Sequence, residues 1–128
     1  MNKIFTLVFA FLGFTCIAQN CNNVKTGTYV IKNEDYGGSQ LIRTESSQEE
    51  IVEKLGIHSK FDLIWIDECN YVLFNKSVIK KGNYDFPESK KTDSLFIEIT
   101  DIISNGYKFR ARSNFSDFVT TGIAENKS

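Results

Sequence analysis

Residues 61–74 run Phe61-Asp62-Leu63-Ile64-Trp65-Ile66-Asp67-Glu68-Cys69-Asn70-Tyr71-Val72-Leu73-Phe74. Strict alternation sends Phe61, Leu63 and Trp65 to one face and Asp62, Ile64 and Ile66 to the other. Both faces of this first strand are mainly apolar, so it is expected to lie centrally in a sheet. Glu68-Cys69 forms a corner, and a second strand over 70–76 carries Tyr71 and Leu73 on one side and Val72 and Phe74 on the other. Two strands joined by a tight corner form an antiparallel hairpin, and the rest of the chain repeats that rhythm.

Working outward, strands are expected over 26–32 and 40–45, with a polar turn at 33–38 containing Gly37-Gly38. Residues 48–55 are ambiguous. Alternation supports a strand, but Ile51, Val52 and Leu55 also suit one face of a short helix begun by Glu49-Glu50. Gly56 to Ser59 makes the next break. Past residue 76 a long polar connection over 77–93 holds Pro87, and Lys76, Lys80, Lys81, Lys90 and Lys91 cluster around it. Connections of that length are often functional. Residues 95–100 and 107–113 are strands around Ser104-Asn105-Gly106, where Asn-Gly is a strong hairpin signal. A last strand over 115–121 leaves 125–128 as a frayed tail. Beyond residue 18 there are 18 Ile and Val against 7 Leu and Ala, a balance that suits pleated surfaces better than helices. The fold class is therefore all-β: an antiparallel meander of about eight strands, closed as a lipocalin-like small barrel or, alternatively, stacked as a β-sandwich.

The chain begins Met1-Asn2-Lys3, continues without charge through Phe14 and ends a leader at Thr15-Cys16-Ile17-Ala18. A basic start, a short apolar run and small residues at the cut describe a signal peptide over 1–18. The run is short for a membrane anchor, which needs roughly 20 apolar residues. No small-residue box precedes Cys16 or Cys21 to favour lipidation. Residues 19–128 then form one domain with no further membrane segment, exported to the periplasm or secreted. Of the three cysteines, Cys21 and Cys69 remain after cleavage, and two cysteines in an oxidising compartment are expected to pair. Free thiols or a metal pair are the alternatives, but no second His or Cys stands near to complete a tetrahedral site.

Trp65-Ile66-Asp67-Glu68-Cys69-Asn70-Tyr71, with Lys25-Thr26-Gly27-Thr28 after Cys21 and a leader ending Ala18-Gln19, resembles a group of small exported proteins of unknown function from Bacteroidota. That group shares a Trp-x-Asp-x-Cys-x-Tyr pattern and a cysteine near the mature start. Some members carry the label DNA topoisomerase IV, yet an exported domain of this size has no room for a strand-breaking enzyme.

The chain has 128 residues, and its 15 basic and 16 acidic side chains balance to −1. That near-neutrality disfavours nucleic acid as a partner. His58, the only histidine, falls in an expected turn, and both remaining cysteines are better used in a bridge, so no nucleophile has its base. Asp67 and Glu68 point to opposite faces of a strand and suit a solvated corner better than an acid–base pair. No catalytic residue, metal-ligand set or cofactor is implied, and the expectation is a non-enzymatic binding protein. One candidate site is the inward aromatics Phe61, Trp65, Tyr71, Tyr107 and Phe109, with Phe96 and Phe118 beside them, around a small hydrophobic ligand. The other is a protein-interaction or inhibitory surface formed by the 77–93 loop and a cationic strand face: Lys80, Lys81, Lys108, Arg110 and Arg112. It would meet an envelope component. Cross-strand pairing with Glu98 and Asp101 is the competing account of those cations.

Overall fold

The computed structural model describes residues 20–85 and 89–127, so the leader and Pro87 lie outside the described residues. Eight strands follow one another: β1 (Gly27–Ile31), β2 (Ser39–Arg43), β3 (Ser47–Val52), β4 (Ile57–Asp67), β5 (Asn70–Lys81), β6 (Ser94–Ile103), β7 (Gly106–Ser113) and β8 (Val119–Asn126). Each pairs antiparallel with the next, and β8 returns to β1 through Tyr29↔Asn126 and Val30↔Glu125. The result is a closed meander barrel, so the sheet has closed rather than split into a sandwich.

Alternation decides what goes inside. Tyr29, Leu41, Phe61, Leu63, Tyr71, Leu73, Ile97, Ile99, Tyr107 and Ala124 are all buried in one core. Charged residues stand on the outer wall at mid-strand, among them Lys60, Glu98 and Arg110, all exposed. No helix among the described residues is long and apolar enough to cross a membrane.

One end of the barrel is plugged. Residues 20–26, with a single 3-10 turn at Asn22–Val24, lie over it, and the Cys21–Cys69 disulfide ties them to the β4–β5 corner. The bridge closes a sequence separation of 48 residues, which in the chain-entropy account stabilises the fold by about 3–4 kcal/mol.

Several boundaries differ from the sequence reading, each because a neighbouring strand decided it. The ambiguous 48–55 segment is strand where it pairs with both β2 and β4, and becomes one 3-10 turn at Glu53–Leu55. The break at 56–59 shrinks to Gly56, because Ile57, His58 and Ser59 pair with β3. Residues 77–81 of the expected loop belong to β5, paired to β4 past a bulge where Asn75 has φ 53°. The 77–93 connection is therefore a strand end followed by a loop from residue 82. Residues 115–118 are loop, and β8 runs on to Asn126, so Glu125 and Asn126 help close the barrel rather than fray.

Candidate functional site

The five aromatic candidates for an inner ligand site do converge inside the barrel. Phe61, Tyr71 and Tyr107 are buried, while Trp65 and Phe109 pack against them half-buried. Trp65 packs tilted against Tyr71 with ring centroids 4.7 Å apart, and Tyr107 meets Tyr29 edge-on at 5.2 Å. Tyr107 is 0% exposed and Tyr71 2%, so these rings fill the space they enclose. Phe96 and Phe118 are not among them. Phe96 sits on the outer wall and Phe118 on the β7–β8 loop, 73% exposed.

The sequence reading missed the residue at the centre of this cluster. Arg43 is 2% exposed, and its guanidinium donates from Nε to Gln48 Oε1 at 2.9 Å and from Nη1 to the Val24 carbonyl at 2.9 Å. Its Nη2 donates to the hydroxyls of Tyr71, at 2.9 Å, and of Tyr107. The Tyr29, Tyr71 and Tyr107 rings surround its Cζ at 4.8–5.4 Å, close enough for cation–π attraction. Burial alone would pull the guanidinium down, but the phenol oxygens outweigh it and hold Arg43 above its ordinary range, fully charged. Burial pushes the Tyr71 phenol well above its usual value. The available signal was parity: on β2, Arg43 shares the face of Leu41, opposite Gln48 of β3. The heart of the barrel is thus a cation in a tyrosine cage, joined through Val24 to the plug.

A second charged group faces inward from β3. Glu50 shares the face of Gln48 and Val52, and burial pushes its carboxyl up, partly offset by the charge of Lys76. His58 is not a solvated turn residue. It stands on β4, half-buried, with Nε2 at 2.9 Å from Glu49 Oε1. Asp67 is the acceptor of the β4–β5 corner, taking the Asn70 side-chain amide and the Cys69 N–H; the Asn70 bond leads in holding its carboxyl below the usual range. Among the described residues, no group of three or more His, Cys, Asp or Glu is placed to hold a metal ion.

The cationic candidates divide between two places. Lys80 and Lys81 lie at the exposed end of β5, opposite His58 and Ile57 of β4. The register places no β6 partner beyond Phe74, so this stretch is a sheet edge, and lysines on an edge discourage further strand pairing. Lys108, Arg110 and Arg112 stand in a row on the outside of β7, all exposed. Their opposite numbers on β6 are Asp101, Glu98 and Phe96. Arg112 lies over the Phe96 ring at 4.4 Å, but neither Glu98–Arg110 nor Asp101–Lys108 closes to an ion pair within 4.0 Å.

This row borders a groove of about 290 Å³ on the outer wall, lined by Ile66, Asp67, Phe96, Glu98, Arg110 and Arg112. Register lines up Ile64, Val72, Phe96, Arg112 and Val119 across five strands. Ile64 and Ile66 are 57% and 62% exposed. The apolar second face of residues 61–67 was the sequence signal for this wall, and in a closed barrel that face meets solvent. A smaller hollow of about 150 Å³ opens at the barrel end away from the plug, where Leu95, Ala111 and Thr120 lie below Phe115 and Phe118. No protein-family model, curated protein or solved structure matches the chain.

Proposed function

We propose that this chain is an exported, non-catalytic binding protein that engages a macromolecular partner of the envelope or extracellular space through the outer wall of β4 to β8. One observation carries the reading. Of the aromatic residues that would line an inner ligand site, Tyr71 and Tyr107 close on Arg43 and Phe61, Trp65 and Phe109 pack into the same core, while Ile64, Ile66, Phe118 and Val119 stay exposed on the outside with Arg110 and Arg112 among them. Contiguous apolar wall rimmed by charge is how interaction surfaces are composed. The Cys21–Cys69 bridge, the leader expected at 1–18 and the resemblance to small exported proteins support export. The non-catalytic reading is supported by the use to which the polar candidates are put: Asp67 in its corner and His58 in a cross-strand bond to Glu49.

The test places a photoreactive side chain at residue 66 in cells exporting the full chain, with residue 60 as control. A discrete adduct from position 66, absent from position 60 and lost in Arg112→Glu, is the expected result. Equal labelling from both positions overturns the proposal. The loop-end hollow under Phe115 and Phe118 favours a second reading, a small apolar ligand held at the barrel mouth. Native mass spectrometry before and after organic extraction decides it: a reproducible extractable adduct moves the function inside.

A further inference from the structure

The outward face of β6 is acidic, with Glu98 and Asp101, and that of β7 is basic, with Lys108, Arg110 and Arg112. The two strands are neighbours, so the wall carries a charge step along the seam between them. Glu98, Asp101, Lys108 and Arg110 are exposed and form no ion pair among the described residues, and Arg112 lies over Phe96. An acidic partner lying on this seam would meet Glu98, Asp101 and Asp67, and a basic one would meet the three cations. The surface that answers both halves has the same step reversed.

We infer that the partner of this wall is a second copy of the same chain. An isologous contact is made by one patch with itself about a two-fold axis lying in the interface. An axis along the β6–β7 seam lays the β6 of each copy over the β7 of the other. Glu98 of one copy then faces Arg110 of its partner, Asp101 faces Lys108, and Phe96 faces Arg112, each pairing occurring twice. The same operation turns Val72, beside β6, toward Val119, beside β7, of the other copy. Exposed ion pairs alone hold proteins together weakly, and here they act as register marks for the apolar residues on either side of them, where charge sets specificity. The inference rests on the outer wall of β4 to β8 being the binding face.

The experiment is sedimentation velocity on protein recovered from cells exporting the full chain, over a wide concentration range and at low and high salt. The wild type is expected to form a dimer that weakens as salt screens the pairs. Glu98→Arg sets like charges against Arg110 of the partner, and Arg110→Glu sets them against Glu98, so each variant alone is expected to be monomeric. Mixed together, the two recreate both opposite-charge pairs, and a heterodimer is expected. Misfolding cannot produce that recovery, and circular dichroism on each single variant checks the fold. A wild type that stays monomeric at every concentration, single variants that remain dimeric, or a mixture that fails to associate overturns the inference. If the wild type is monomeric and residue 66 still crosslinks to another protein, the binding face stands with a different partner. If it is monomeric and position 66 labels no better than position 60, both readings fall.

Discussion

Arg43 carries a full charge into the barrel where no carboxylate pairs with it among the described residues. Its compensation is distributed over two phenol oxygens, one amide oxygen, one carbonyl and three ring faces. Removing it alone strands Tyr71, Tyr107, Gln48 and Val24 without their donor, and a buried polar group left unpaired costs about 1–3 kcal/mol. Arg43→Met is therefore expected to destabilise the protein by about 3–5 kcal/mol, because several such groups are stranded at once. Adding Tyr71→Phe, Tyr107→Phe and Gln48→Leu removes the stranded groups and is expected to recover much of that loss. Urea midpoints of the two variants check this, and a combined variant weaker than the single one refutes it. Glu50 presents the opposite case. Its folded carboxyl is raised, so the stability it contributes is fully present below its unfolded pKa and is lost as pH rises through the folded value. Near pH 7 the charged form is the costly one, so Glu50→Gln is expected to raise the melting temperature by about 2–4 °C. The gain vanishes on acidification, where the wild-type side chain is itself neutral. Thermal melts at pH 7 and pH 4 compare the two.

At the scale of elements, the strands themselves were legible and their ends were not. Alternation located β4, the first half of β5, β6 and β7, because those strands carry a clean apolar face, and Asn105-Gly106 marked the hairpin between the last two. The need for glycine is concrete there: a Cβ on Gly106 would stand 2.0 Å from the Ala124 carbonyl oxygen. The outer end of β5 follows a bulge at Asn75 and mixes Val78 and Ile79 with lysines, and that of β8 finishes on Glu125 and Asn126, so pairing with β4, β7 and β1 rather than a local pattern makes them strand. Glu53–Leu55 shows the reverse, a strand pattern that stops because Gly56 turns the chain with φ 68°. The candidate surface follows the same division. The cationic row on β7 was legible from alternation and Glu98 and Asp101 could be named as its acidic neighbours, but which acid faces which cation came only from the register that sets Glu98 beside Arg110 and Asp101 beside Lys108. Arg43 escaped because its parity with Leu41 puts a charge on the inward face, and the phenols that make this tolerable, Tyr71 and Tyr107, lie on strands far along the chain. The lysines near residue 80 looked like a binding loop, and their place on an exposed strand edge accounts for them instead.

For the whole molecule, closure is the feature on which everything else depends, and it rests on its last few residues. The β1–β8 seam has two register pairs, supplemented by the Lys127 N–H donating to the Thr28 carbonyl at 3.0 Å and a Lys32–Glu125 ion pair at 3.6 Å. Ala124, fully buried, packs beside Tyr107, and the Asn126 N–H donates to the Asn105 carbonyl at 2.7 Å. Deleting residues 123–128 removes all of these contacts and leaves β1 and the Gly106–Lys108 end of β7 without a partner. Each lost backbone hydrogen bond forfeits about 1 kcal/mol net, and the Tyr107 ring that helps cage Arg43 becomes accessible to water. The total is comparable to the ~5–15 kcal/mol by which a domain of this kind is stable. The truncated chain is therefore expected to lose its single cooperative unfolding transition and to bind a hydrophobic dye such as ANS at room temperature, while keeping its disulfide. The disulfide joins residues on the opposite side of the plug, so the two supports separate cleanly. Reduction should lower the melting temperature of the full chain yet leave a cooperative transition, because the closed hydrogen-bond circuit is intact. A truncated protein that still melts in one sharp step, without dye binding, would mean that the barrel closes or stacks without the 123–126 end of β8.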